Sequence, residues 1–163
     1  YVEESSRIQS FLPQDQLCEL HHIGSTAIEG IWAKPIIDIL LEIPQNADME
    51  NIKRELLEQG YLLMSESEGR MSFNKGYTLQ GFAERVFHLH LRYHGDHDEL
   101  YFRDYLQDHP AVAKDYEQLK LILWKKYEHN RDAYTAAKRD FIRQYTQKAH
   151  KLYEGRYERS HDF

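Results

Sequence analysis

The apolar positions of this chain change period part-way along it. Up to about residue 94 they alternate or run in short blocks, and beyond it they recur at helical spacing. Ile8, Phe11 and Leu12 predict the tail of an amphipathic helix over residues 1–12, closed by Pro13. Residues 17–23 read as a short strand ending at Gly24, with a helical turn from Thr26. Pro35 disfavours helix at Lys34, and residues 36–43, IIDILLEI, read as a strand ended by Pro44. Residues 48–59 form a helix with Asp48 or Asn46 near its cap and Gly60 just past its end. Residues 61–64 and 70–75 are strands joined by the polar turn SESEG. Residues 85–93 are a third, with Phe87, Leu89, Leu91 and Tyr93 alternating against His88, His90 and Arg92. Three helical segments then cover 97–154, broken near Pro110 and Asn130. The expected class is α+β: a mixed sheet in about residues 1–95, and a helical part over about 96–155 folded against it within one domain, 1–163.

One strand breaks its own pattern. In IIDILLEI, Ile36, Asp38, Leu40 and Glu42 share a face, and Ile37, Ile39, Leu41 and Ile43 share the other. Burying an unpaired carboxylate costs several kcal/mol, so Asp38 needs a metal ion, a base or a set of donors. An ion pair with Lys34 or Arg92 and a metal-ligand role both satisfy that need. Two carboxylates sharing a metal on a strand usually stand two residues apart, about 7 Å between Cα atoms. Leu40 occupies that second place, and Glu42 is roughly 13 Å along the strand from Asp38. His88 and His90 supply a substitute if their strand neighbours Asp38, because two histidines and one carboxylate can hold a divalent cation with positions left open. A row of histidines on a solvent face is the plainer explanation.

Gly24-Ser25-Thr26 sits between a strand and a turn. Glycine lets the backbone approach a ligand closely, and free N–H groups helped by two hydroxyls suit a phosphate. Thr26-x-x-Glu29 also has the spacing of a capping box, in which the helix's own donors consume those groups. Further on, Lys120 and Lys138 lie on or beside apolar helical stripes, as does Arg103 after Tyr101-Phe102. Most such side chains snorkel to solvent, and a minority meet an anionic ligand.

Composition narrows the classes. A net charge of −6 and a pI of about 5.9 argue against a protein built to coat nucleic acid. A single cysteine, Cys18, excludes an intrachain disulfide and a zinc ribbon. No apolar run is long enough to span a membrane and no signal segment is visible, so a cytoplasmic protein without membrane or nucleic-acid partners is expected. The first residue is not Met, which suggests a missing N-terminus.

These pieces resemble one family. HIGSTAIEGIWAKPIIDIL is similar to the signature of the GrpB family, in which Pro is usual where Glu29 stands. The resemblance continues through His88-Leu89-His90, Phe102-Arg103-Asp104-Tyr105-Leu106, His109-Pro110, the Tyr116 to Lys120 segment and the Tyr134 to Ile142 segment. It spans nearly the whole chain in order, with Val2 to Leu12 as the end of the family's first helix and the preceding strand lost. It implies a nucleotidyltransferase-like mixed sheet flanked by helices, and family members also occur fused to dephospho-coenzyme A kinase, which suggests a functional link. The superfamily pattern of a Gly-Ser pair followed by an acid-x-acid pair matches at Gly24, Ser25 and Asp38, and fails at Leu40. By this resemblance Asp38 is the catalytic carboxylate, and with His88 and His90 it holds a divalent metal (Mg or Mn, or Zn). Gly24, Ser25, Thr26, Lys34, Arg103, Lys120 and Lys138 then contact a nucleotide or other phosphate-bearing ligand in a cleft between sheet and helices. The alternative is a non-catalytic nucleotide-binding, coenzyme-binding or protein-interaction module that kept the fold and lost the two-metal chemistry.

Overall fold

The computed structural model describes residues 1–78 and 80–158. In chain order it runs α1 (Val2–Phe11), β1 (Glu19–Ile23), a 3₁₀ turn (Ser25–Ala27), β2 (Ile36–Ile43), α2 (Met49–Glu58), β3 (Leu62–Ser67), β4 (Arg70–Thr78), β5 (Gly81–Tyr93), α3 (Asp98–Asp108), α4 (Pro110–Lys126) and α5 (Arg131–Leu152). The chain forms two compact units. The first comprises Tyr1–Thr26 and Lys34–His97, and the second comprises Ala27–Ala33 and the chain from Asp98 onward. The second therefore takes in a short segment, IEGIWA with Ala27 before it, that precedes β2.

The first unit is built on a five-stranded mixed sheet of order β1-β2-β5-β4-β3. β2 and β5 run parallel, and the other pairs are antiparallel. A parallel pair needs a crossover, which α2 and the β3–β4 hairpin supply between β2 and β5. Asp48 caps α2 by accepting the Asn51 N–H at 3.2 Å, and Gly60 past its end takes φ +93. The apolar face of the sheet packs Ile39, Leu41, Ile43, Phe73, Leu89 and Leu91 against Ile8 and Leu12 from α1 and its end, and Ile52 and Leu56 from α2. All but Leu12 are fully buried, and each such side chain contributes roughly 1.5–3 kcal/mol.

That face also holds a charged cluster. Glu4 on α1, 3% exposed, accepts hydrogen bonds from the Tyr61 hydroxyl and the Lys75 ammonium, both at 2.8 Å. Arg7 adds a third contact at 3.3 Å. Burial pushes the Glu4 carboxyl up, but the bonds from Lys75 and Tyr61 outweigh it and hold the group below the usual carboxylate range.

Strand limits differ from the sequence expectation in β1, β3, β4 and β5. Ser65, Glu66 and Ser67 continue β3 instead of forming a turn, because the hairpin reverses later, at Glu68-Gly69, where Gly69 takes φ +73. Their exposure on an edge strand explains why they lack apolar alternation. β5 begins at Gly81 rather than Arg85, extending the ladder with β4 past a bulge between Lys75 and Tyr77. Gly76 sits at that bulge with φ +98, and a side chain there would run into the backbone of Arg85.

The second unit has its own core. Ile28, Leu106, Ala113 and Tyr116 are buried together, with Phe102, Tyr105 and Phe141 packed around them. The 27–33 segment is tied in by backbone contacts. Gln107 donates to the Ala27 carbonyl at 2.7 Å, Lys114 donates to the Gly30 carbonyl at 2.5 Å, and the Trp32 N–H donates to Glu117. A second polar knot forms on Asp104, 7% exposed, which accepts from Arg103 at 2.9 Å, from Arg156 at 3.1 Å and from the Tyr157 hydroxyl.

Candidate functional site

The parallel register of β2 and β5 decides which side chains meet. It sets Asp38 opposite His88, Leu40 opposite His90 and Glu42 opposite Arg92. Paired residues project on the same face, so this face of the sheet carries two acids, two imidazoles and a guanidinium where the other carries the apolar core and the Glu4 cluster. The Asp38 Oδ1 lies 3.5 Å from His90 Nε2 and 3.7 Å from His88 Nδ1. About a quarter of each side chain stays exposed, 27% for Asp38 and His90 and 20% for His88, so a solute can reach the carboxylate. His88 is further fixed by Tyr77, whose hydroxyl lies 2.9 Å from His88 Nε2.

Gly24 presses against the same carboxylate. It takes φ +76, and a Cβ built on it would stand 2.5 Å from Asp38 Oδ2. Glycine is required here twice over, for the left-handed backbone and for the space. β1 delivers it there, since Ile23 pairs with Asp38 in the β1–β2 ladder.

The loop after Gly24 does not carry the capping box that Thr26 and Glu29 suggest. The chain makes one 3₁₀ turn, Ser25–Ala27, and Glu29 is exposed. The Thr26 hydroxyl donates instead to the Ile36 carbonyl at 3.3 Å, and His22 Nε2 lies 2.9 Å from the same oxygen. A hydroxyl has one proton to give, so His22 donates to Thr26. This tie anchors the loop to the first residue of β2, and Lys34 is exposed just before it. Leu40 is fully buried, so the place of a second acid is filled by packing. Arg92 Nη1 lies 3.6 Å from Asp96 Oδ1.

Arg103, Lys120 and Lys138 all belong to the second unit. Arg103 binds Asp104 and donates to the Tyr157 hydroxyl at 3.0 Å. Lys120 is buried with its ammonium 4.9 Å from the Tyr116 ring centre, and Lys138 sits 4.7 Å from that of Tyr134. The structure thus brings Gly24, Asp38, His88 and His90 together and gives the three helical cations packing partners within their own unit.

A second polar cluster, which no local sequence pattern marks, lies at the far end of β2. Glu42, 2% exposed, accepts from His97 Nδ1 at 2.7 Å and has His94 Nδ1 at 3.2 Å. Burial pushes the Glu42 carboxyl up, and its polar contacts, the hydrogen bond from His97 foremost, outweigh it and hold it low. The i, i+4 spacing of Asp38 and Glu42 correctly separates them, but it hid the fact that Glu42 has partners of its own.

The model of the GrpB protein family matches residues 1–148. The chain belongs to the GrpB family. It is 36% identical over 148 residues to the glutamate-rich protein GrpB of Alkalihalophilus pseudofirmus, covering 87% of this chain and 84% of that one. It spans about half the length of two other curated relatives, 52% and 45%. The crystal structure of the conserved protein GrpB from Enterococcus faecalis aligns with a TM-score of 0.79 at 30% identity, covering 94% of this chain and 92% of that one. A more distant likeness is to the Cid1 poly(U) polymerase crystallised with MgGTP, with a TM-score of 0.50 at 14% identity over 77% of this chain and 42% of that one. The GrpB chain therefore has a nucleotidyltransferase-like α+β fold. Among its described residues no helix is long and apolar enough to cross a membrane.

Proposed function

We propose that this GrpB chain binds a nucleotide or other phosphate-bearing ligand together with a divalent metal at Asp38, as a nucleotidyltransferase-type site. The observation that carries the reading is the convergence of His88 and His90 on one oxygen of Asp38, within 3.7 Å, on a partly exposed sheet face. Ligand atoms stand about 2.0–2.6 Å from a bound divalent ion, so an ion at Asp38 would draw the two imidazoles onto it. Asp38 and the imidazoles would hold the ion, and the ion would supply charge neutralisation for phosphate oxygens. Gly24 and Ser25 would present backbone N–H groups and a hydroxyl to the phosphates, and exposed Lys34 a cation. The anion-binding roles expected of Arg103, Lys120 and Lys138 remain proposals, each tested by charge removal. The fold likeness to a polymerase crystallised with MgGTP supports this choice of ligand class.

The test is thermal stabilisation by a nucleoside triphosphate with Mg²⁺ or Mn²⁺ and with EDTA. A shift that requires metal and disappears in Asp38→Ala supports the reading. Equal shifts in wild type and Asp38→Ala would sink it.

Full burial of Leu40 favours a second reading, a ligand-binding module that has lost two-metal chemistry. That module would bind its ligand equally well in EDTA and turn over no nucleoside triphosphate. Cytoplasmic location and a functional link to dephospho-coenzyme A kinase are part of the proposal.

A further inference from the structure

Glu19 and Glu42 stand directly opposite each other in the antiparallel β1–β2 ladder. Like charges in that position are destabilising, and Glu42 is almost fully buried. His94 closes the group, held beside the end of β2 by its backbone N–H, which donates to the Ile43 carbonyl at 2.9 Å. One ligand atom from each of Glu19, Glu42 and His94 lies within 4.8 Å of the other two.

The tautomer of His94 points the same way. Its Nε2 lies 2.9 Å from the Leu17 carbonyl, which can only accept, so Nε2 carries the proton. In the neutral ring Nδ1 is then a lone pair, and it faces Glu42 Oε2 at 3.2 Å, an acceptor against an acceptor. A cation between them, a proton or a metal ion, removes the conflict. A ring N–H bound to a backbone carbonyl is also the usual support of a metal-ligating histidine. His97 plays the matching part for Glu42: it donates to Oε1 at 2.7 Å and leaves Oε2 for the ion. His21 stands beside Glu19. Its Nε2 is buried without a hydrogen-bond partner, with Glu19 Oε2 3.4 Å away.

We infer that Glu19, Glu42 and His94 form a divalent transition-metal site, for Zn²⁺ by preference, distinct from the Asp38 site. Two carboxylates and an imidazole suit zinc with water in the fourth position, and the partly exposed Glu19, 42% accessible, gives the ion its way in. The bound ion pins β1 to the ends of β2 and β5. It needs no nucleotide and no Asp38, so its failure is separable from that of the proposed function.

The experiment uses the EDTA-stripped, desalted chain with Zn²⁺ alone, read by thermal shift, and with Co²⁺ alone, read by visible absorption. One equivalent of Zn²⁺ should raise Tm in wild type, and a shift should remain in Asp38→Asn. Glu19→Gln should weaken the metal by about ten- to a hundredfold, and His94→Gln should abolish the shift. Co²⁺ should give the intense visible band of a four-coordinate site. If His94→Gln fails to fold, Glu19→Gln, at an exposed position, carries the test alone. No Zn²⁺ shift in wild type would assign the cation to a proton and overturn the site. A shift lost in Asp38→Asn but kept in Glu19→Gln would overturn it as well.

Discussion

The two faces of the central sheet use the same strands for opposite ends. On one face of β2, Ile37, Ile39, Leu41 and Ile43 meet α1 and α2 in a core whose central members are fully buried. On the other, Asp38 and Glu42 each gather two histidines, separated by the buried Leu40. The first face is stable because it excludes water from apolar surface. The second holds carboxylates whose charge must be met by a neighbour, and such groups stay responsive to protons, metals and ligands. The apolar face also contains Glu4, but there the partners Tyr61 and Lys75 complete the charge balance internally. Stability and candidate chemistry are thus divided across a single layer of backbone.

The largest effect should come from opening the apolar face. Phe73→Ala removes a fully buried ring between sheet and helices, and should cost about 3–5 kcal/mol in urea denaturation. A loss below about 1 kcal/mol would contradict the packing described here. Next, Gly24→Ala forces a side chain into a left-handed backbone and against Asp38 Oδ2, and should cost about 1–3 kcal/mol. Asp38→Asn in the same background cannot restore the φ angle, so the double variant should remain destabilised.

The acid response of Glu4 should be smaller. Its folded-state pKa is depressed below the unfolded one, so the unfolded chain binds more protons as pH falls. The stabilisation is present above the ordinary carboxylate pKa of about 4.3 and is lost as pH drops through the folded value. Tm measured from about pH 6 down to about pH 3 should fall, and Glu4→Gln should lower Tm at the upper end while flattening that slope. An unchanged slope in the variant would mean that other carboxylates dominate.

Much of this contrast was legible in the chain because it is local. The alternation in IIDILLEI and in VFHLHLRY assigned each residue to a face, and the Gly-Ser-x₁₂-Asp spacing marked the loop. The edges of β3 and β5 were less legible, since an exposed edge strand has no reason to alternate and a bulge at Gly76 resets the register. The Glu19–Glu42–His94 group was not legible at all. Its members are brought together by the antiparallel register of β1 on β2 and by one backbone bond from His94 to Ile43, and neither leaves a local pattern. Thr26 shows the converse: its capping-box spacing was visible, but the Ile36 carbonyl takes its hydroxyl proton.

Asp38→Asn should be the gentlest substitution of all for stability, within about 1 kcal/mol, because the carboxylate is partly exposed and an amide keeps its shape. For that reason it isolates the claim that Asp38 with His88 and His90 is a metal-nucleotide site. The direct measurement is paramagnetic broadening of the His88 and His90 imidazole NMR signals by Mn²⁺ in the presence of a nucleoside triphosphate. The account predicts selective broadening of both rings at substoichiometric Mn²⁺ in wild type, and its loss in Asp38→Asn. Sharp His88 and His90 signals in wild type, or broadening that persists unchanged without the carboxylate, would contradict it.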